Sequence, residues 1–418
     1  MKLDAIRAAE GKLLLPTYER NPILFVSGEG VSLFDESGVE YLDLLSGIGV
    51  NALGYAHPAI EAAISAQSRK LLHTSNLFFH EGQAELASRL TAMTGLDRVF
   101  FCNSGAEAFE AALKLARAYA KLRTSEGSPL STKILALEHG FHGRTMGAVS
   151  TTHKQKYREP YEPLLAGVEF VRFDDVADLR AKFSAEVCAV CIEPIQGEGG
   201  IRPVSREFFA AARELTSSTG ALLIADEIQS GMGRTGRWCA YQHYDILPDI
   251  ATLAKPLAGG LPLGAMLCTE EASRAMKPGL HGTTFGGGPL ACAVAIAVIE
   301  EIKRADLLAH VSEVGEYFLA QLRSLGTRHE SVVDVRGVGL MIGIEFNDVA
   351  VAKTATEQMF ARRIIVNRTH ETVLRFLPPY ILEKRHVDRA INALDEILSQ
   401  FDGHSARAAM AGSSTSHG

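Results

Sequence analysis

Lys255 follows the apolar run IATLA and precedes PLAGGLPLG. That setting is uncommon for a lysine, because a desolvated ammonium is costly. Either its charge snorkels at a strand end, or its amine serves as a nucleophile or is consumed as an imine. Other polar residues stand in the same relation to apolar runs. Ser104 follows VFFCN, Glu193 follows CAVCI, and Asp226 follows LLIA. In open α/β sheets, ligands bind in the crevice beyond the carboxyl ends of the strands. A small-residue turn, a carboxylate and a lysine would then converge on one crevice.

Each of these signals also has a plainer reading. Asn103-Ser104-Gly105-Ala106 leads from a strand into a helix, where free N–H groups and the helix dipole suit a phosphate. Serine is equally a favoured N-cap, so the turn alone also reads as an ordinary helix start. Asp226 and Glu227 are adjacent and would face opposite sides of a strand. They do not form a carboxylate pair; one faces the crevice and the other is structural or exposed. Taken together, an anion site, an acid and a lysine suit pyridoxal phosphate. That cofactor needs a lysine for its aldehyde and a carboxylate to keep its pyridine nitrogen protonated.

The chain that must position these groups has 418 residues, 47% hydrophobic and 22% charged, with a net charge of −7. Its length allows two or three domains. The acidic balance gives no sign of nucleic-acid binding. No stretch approaches the roughly 20 apolar residues of a membrane span, and MKLDAIRAAEGKLLLP lacks the apolar centre of a secretory signal. Of the six cysteines, Cys188 and Cys191 form a C-x-x-C within the apolar VCAVCI, with no second half at zinc spacing. Buried reduced thiols, no metal and a cytoplasmic location are the expectation.

Apolar runs at Val99–Cys102, Lys133–Leu137, Val187–Ile192, Ala221–Ala225 and Ile250–Ala254 alternate with helical patterns. This predicts an α/β domain with a largely parallel sheet. In AEAFEAALKLARAYAKL the charges Glu107, Glu110, Lys114, Arg117 and Lys121 form one helical stripe. Phe109, Leu113, Ala116 and Ala120 form the opposite, sheet-facing stripe. VVDVRGVGLMIGIEF and TVLRFLPPYIL read as strands and EKRHVDRAINALDEILSQF as a closing helix, which predicts a smaller α+β domain. The expected division is an N-terminal segment, 1–60, packing with the small domain; a large cofactor-binding domain, 61–304; the small domain, 305–402; and a disordered polar tail, 403–418.

From about Tyr18 to the final helix the chain resembles class III aminotransferases of fold type I, and among them the acetylornithine aminotransferases most. The strings that carry this are YLDLLSGIGVNALGYAHP, HTSNLF, FFCNSGAEA, FHGRT, EPIQGEGG, LLIADEIQSGMGRTG, PDIATLAKPLAGGLPLGA and HGTTFGGGPLAC. The resemblance implies that Lys255 holds the cofactor aldehyde and Asp226 partners the pyridine nitrogen. It implies that Gln229 lies near the ring hydroxyl, Phe141 stacks on the ring, and His142 and Glu193 line the same site. Ser104, Gly105 and Ala106 would cradle the phosphate, and Thr284 would reach the phosphate of the other subunit in a homodimer with shared sites. Tyr18, Arg144, Glu198 and Arg375 would meet substrate, the arginines through carboxylates that their forks bind bidentately.

The implied reaction carries the terminal amino group of N2-acetylornithine to 2-oxoglutarate. Ornithine, succinylornithine, an aminoacylated lysine and 4-aminobutyrate are alternative donors; a mutase or racemase on the same fold, or a non-catalytic cofactor-binding regulator, are the other readings. The sequence departs from the common pattern at Phe109 and Gly288, where asparagines are usual, and neither carries a role in that resemblance. Ile48 stands where ornithine aminotransferases tend to have a tyrosine, which favours an N-acylated donor.

Overall fold

The structure, a computed structural model, describes residues 2–128 and 130–413, with the backbone alone for 402–413. The tail expected at 403–418 therefore falls outside the fully described residues.

Seven strands form the central sheet, in the order Arg98–Cys102, Gly264–Cys268, Ile250–Leu253, Leu222–Asp226, Val187–Ile192, Lys133–Leu137, Val168–Val171. The five from Ile250–Leu253 to Val168–Val171 are mutually parallel. Gly264–Cys268 runs antiparallel to both of its neighbours. The central strands are buried on both faces, which explains why they read as continuous apolar runs rather than as alternation. Their side chains still divide between two layers with period two. Ile224 and Ile250 pack with Phe109, Leu113, Ala116 and Ala120 of the helix Gly105–Ser125. Leu223, Ala225 and Ala251 pack on the other face with Phe208 and Ala212 of the helix Arg206–Thr219.

Three short antiparallel strands, Phe25–Glu29, Ser32–Asp35 and Glu40–Asp43, open the chain. Their sheet is completed from the far end of the sequence by Ile364–Ile365, which pairs in parallel with Leu42 and Asp43. A second antiparallel sheet contains Val332–Val338, Met341–Phe346, Val373–Phe376 and Asn367–Thr369. Leu42 and Leu44 share one core with Ile342, Phe376 and Leu394, the last on the closing helix Lys384–Ser413.

Arg234 reaches this part of the molecule from the loop after the central strand Leu222–Asp226. Fully buried, it donates from Nη1 to the carbonyl oxygens of Leu340 and Pro378, and it packs 4.6 Å from the Tyr380 ring. All six cysteines are free and buried. Among the described residues no helix is long and apolar enough to cross a membrane, and no cluster of potential ligands could hold a metal ion.

Candidate active site

A cavity of about 350 Å3 opens beyond the carboxyl ends of the central strands. Its walls include Ser104, Gly105, Ala106, Phe141, His142 and Glu193, and also Glu198, Asp226, Gln229 and Lys255. Four separate apolar runs thus deliver their trailing polar residues to one place.

Lys255 begins a short turn two residues after the strand Ile250–Leu253, with φ of 34°, a left-handed conformation that an L-residue holds only when its surroundings impose it. Burial lowers its pKa and nearby Arg375 adds to that, while Asp226, Glu198 and Glu193 oppose the shift in part. The net effect favours the neutral amine, the form that attacks a carbonyl.

Asp226 ends the strand Leu222–Asp226 and is buried. Its Oδ2 lies 2.7 Å from His142 Nδ1, while Oδ1 accepts from Thr252 Oγ1 and the Ile228 N–H, both at 3.1 Å. Burial alone would lower the His142 pKa, but the hydrogen bond and charge of Asp226, with Glu193, outweigh it and raise the pKa. Phe109 lies flat on the His142 ring, centroids 4.2 Å apart and planes within 9°. The phenylalanine that replaces the usual asparagine therefore supports the histidine that pairs with Asp226. Glu227, the adjacent acid, turns away, accepting from Ser230 Oγ at 2.6 Å and the Tyr241 N–H at 2.8 Å. Burial pushes its carboxyl up to about 7.

Glu193 ties two loops of the cavity together, accepting from the Phe141 N–H at 2.8 Å and the Gly197 N–H at 3.0 Å. Burial pushes it, too, up to about 7. At the opposite end, Ser104 caps the helix Gly105–Ser125, its Oγ accepting from the Glu107 N–H. The first backbone bond of that helix runs from Ala108 to Ser104, so the N–H groups of Gly105 and Ala106 precede it. A Cβ on Gly105 would lie 2.9 Å from the Ile228 side chain, and one on Gly143 would lie 2.9 Å from Ala106 Cβ. Both positions leave room for bare backbone only, beside the free N–H groups that suit an anion.

Arg375, fully buried just behind the wall, donates to Glu198 Oε1 at 2.6 Å, to Gln229 Oε1 at 3.2 Å and to Asn367 Oδ1 at 3.1 Å. Although burial acts to raise the Glu198 pKa, Arg375 wins and holds the carboxyl below its ordinary value. The remaining expected residues lie outside the cavity wall. Arg144 is exposed, its guanidinium 3.7 Å from the Tyr157 ring and 5.6 Å from that of Phe141. Tyr18 is exposed on the N-terminal segment. Thr284 lines a separate small depression with His73 and Asn76.

The three groups that pyridoxal phosphate requires are present in one cavity: a buried amine whose pKa is lowered, a buried acid backed by a histidine, and an N–H cradle at a helix start. Two contributors were not legible in the sequence. Thr252 reaches the site from the strand beside Asp226, and Phe109, marked in the sequence only as a departure from the common pattern, does so by stacking on His142.

Comparison with known proteins points the same way. The class-III aminotransferase family model matches residues 16–398. Acetylornithine aminotransferase of Methanocaldococcus jannaschii is 45% identical over 395 residues, covering 94% of this chain and 97% of that protein. The corresponding protein of Aquifex aeolicus is 43% identical over 92% of this chain and 99% of its own length. Among solved structures, ornithine aminotransferase of Toxoplasma gondii superposes with a TM-score of 0.91 at 31% identity, covering 97% of this chain and 96% of that one. That protein has also been solved with pyridoxal phosphate partly occupying its active site. Acetylornithine aminotransferase of Elizabethkingia anophelis gives a TM-score of 0.84 at 30% identity, over 96% of this chain and all of that one. With lysine, acid and anion cradle gathered at the strand ends, and a family match spanning nearly the whole length, the chain belongs to the pyridoxal-phosphate-dependent class-III aminotransferases.

Proposed function

We propose that this aminotransferase moves the terminal amino group of N2-acetylornithine to 2-oxoglutarate, giving N-acetylglutamate 5-semialdehyde and glutamate, a step of arginine biosynthesis. The observation that carries the reading is the bond at 2.6 Å between buried Arg375 and half-buried Glu198, beside Lys255 and Gln229. The donor reacts at a carbon that bears no carboxylate, whereas glutamate reacts at a carbon that does. One site serves both only if a cation can be neutralised for the first and released for the second, and Glu198 is placed to do this.

Bound pyridoxal phosphate supplies the electron sink that lets a proton leave the amine-bearing carbon. Lys255 would anchor the cofactor through its amine and, once released, would move that proton as general base and then acid. Asp226, paired with His142, would keep the pyridine nitrogen protonated; Gln229 would serve the ring hydroxyl, Phe141 the ring face, and Ser104, Gly105 and Ala106 would hold the phosphate. Arg144, next to Phe141 at the rim, takes the carboxylate far from the reacting carbon in both substrates, with Tyr18 closing the same end.

Free ornithine is the principal rival, because ornithine aminotransferases share the fold at TM-score 0.91. Ile48 favours the N-acylated donor. Single-turnover spectra with N-acetylornithine, ornithine and 4-aminobutyrate, without keto acid, separate these readings. Rapid loss of the lysine-bound cofactor band with N-acetylornithine is expected; loss with ornithine alone would replace the donor and keep the aminotransferase.

A homodimer with shared sites accounts for Thr284, which lines its own depression rather than the cavity, and for exposed Leu77, Phe78, Phe79 and Phe285 close to it in sequence or in space. Such apolar exposure marks interaction surfaces. Sedimentation equilibrium should give twice the 45.1 kDa chain mass; a monomer at full activity would remove Thr284 from the site. Six free buried cysteines fit a reducing compartment, and we assign the enzyme to the cytoplasm.

A further inference from the structure

A second cavity, of about 890 Å3, adjoins the first and shares Phe141 and Glu198 with it. Lys154, Lys156, Arg158 and Arg368 line it, and none of the four has an ion pair among the described residues. Lys156 packs against the Tyr157 ring at 5.3 Å, and Arg158 against Phe170 at 4.7 Å. Arg368 donates only to the Glu371 carbonyl oxygen, and the buried Arg158 Nε has no hydrogen-bond partner. Two carboxylates also face the cavity, but Glu198 is taken by Arg375, which leaves Glu371 against four cations.

The wall is built under strain. His139, His370 and Glu371 hold φ values of 64°, 44° and 62°, and non-glycine residues in that region cluster at functional sites. The His139 ring meets that of His153 edge-on at 5.4 Å and that of His370 at a tilt, at 4.9 Å. Burial lowers the pKa of all three histidines, and neighbouring cations, Arg202 on His139 and His370 and Arg158 on His153, lower it further. The positive charge at neutral pH is therefore that of the lysines and arginines.

The geometry points to this cavity as a vestibule that captures the dianionic dicarboxylate acceptor and delivers it past Glu198 to Arg375. The inference rests on the proposed acceptor chemistry, though not on the identity of the donor. Clefts of one sign of charge concentrate oppositely charged ligands and raise association rates, an effect that falls with ionic strength. Acceptor and donor should respond differently. 2-Oxoglutarate carries two negative charges, whereas N-acetylornithine is a zwitterion without net charge.

The test measures the two half-reactions separately, by stopped-flow on the cofactor-loaded enzyme, from low salt to about 0.3 M, where screening acts within a few ångströms. For the wild type, the second-order rate constant with 2-oxoglutarate should fall steeply with salt, and that with N-acetylornithine should stay flat. The variant Lys154→Gln/Lys156→Gln/Arg368→Gln, confined to exposed side chains, should lose about tenfold in the acceptor half-reaction at low salt, with a shallower salt dependence. Its donor half-reaction should be unchanged. A triple variant matching the wild type with 2-oxoglutarate, or slowed equally with both substrates, would overturn the vestibule and leave the aminotransferase reading intact. If only a monocarboxylate such as pyruvate accepted the amino group, both the acceptor assignment and the vestibule would fall; a different donor would disturb neither.

Discussion

Replacement of Lys255 with alanine should lower turnover by at least about 10^4-fold, the upper range for loss of a positioned acid–base group. The same side chain is proposed to anchor the cofactor and to carry the proton, so no other group in the cavity can cover both tasks. The loss is not expected to come from unfolding. The Lys255 pKa is lowered in the fold, chiefly by burial. Below the ordinary lysine pKa the unfolded chain therefore binds more protons at this position than the folded one, and the charge opposes folding. That cost declines as pH rises from the lowered value toward the ordinary one. Alanine removes the cost, so the thermal midpoint of the cofactor-free variant should be no lower than that of the wild type at neutral pH. Turnover within tenfold of the wild type would remove Lys255 from the chemistry, whereas a collapsed thermal midpoint would show the lysine to be structural.

Arg375→Ala should divide the two half-reactions. Losing the charge-assisted hydrogen bonds of this buried guanidinium costs about 1.5–3 kcal/mol, or roughly tenfold to 150-fold. The loss should fall on reaction with 2-oxoglutarate, whose carboxylate next to the reacting carbon needs this guanidinium. Reaction with the donor should change by only a few-fold. Arg375→Lys should rescue little, because an ammonium cannot reproduce the bonds the fork makes to Glu198, Gln229 and Asn367. Glu198→Ala is the converse. With Arg375 left uncompensated, the donor's carboxylate has a competing partner, so the donor half-reaction should slow while the acceptor half-reaction persists. Unchanged rates and affinities in both half-reactions of Glu198→Ala would refute the switch. Together these variants separate carboxylate handling from the proton transfer that Lys255→Ala tests.

The positions of the chemistry were largely legible in the chain. Five of the seven central strands are apolar runs visible by eye, and the inner four are buried on both faces, which calls for apolar side chains nearly throughout. The polar residue trailing each run marks the strand end, and the parallel fold brings strand ends together. Ser104, Glu193, Asp226 and Lys255 therefore reach one cavity as their spacing predicts. Gly264–Cys268 was hidden by the glycines and prolines before it, and Val168–Val171 by its polar Glu169 at the sheet edge.

Tertiary structure alone decided which groups surround those residues. Arg375 meets Glu198 across 177 positions, and His142 meets Asp226 across 84. The pairing of Ile364–Ile365 with Glu40–Asp43 and the stacking of Phe109 on His142 likewise depend on chain segments packing over one another. Local spacing encodes the period of an element and where it ends, but not what lies opposite a side chain. The position of Lys255 thus follows from the sequence, whereas its lowered pKa, set by burial and by four charges from three other segments, exists only in the fold.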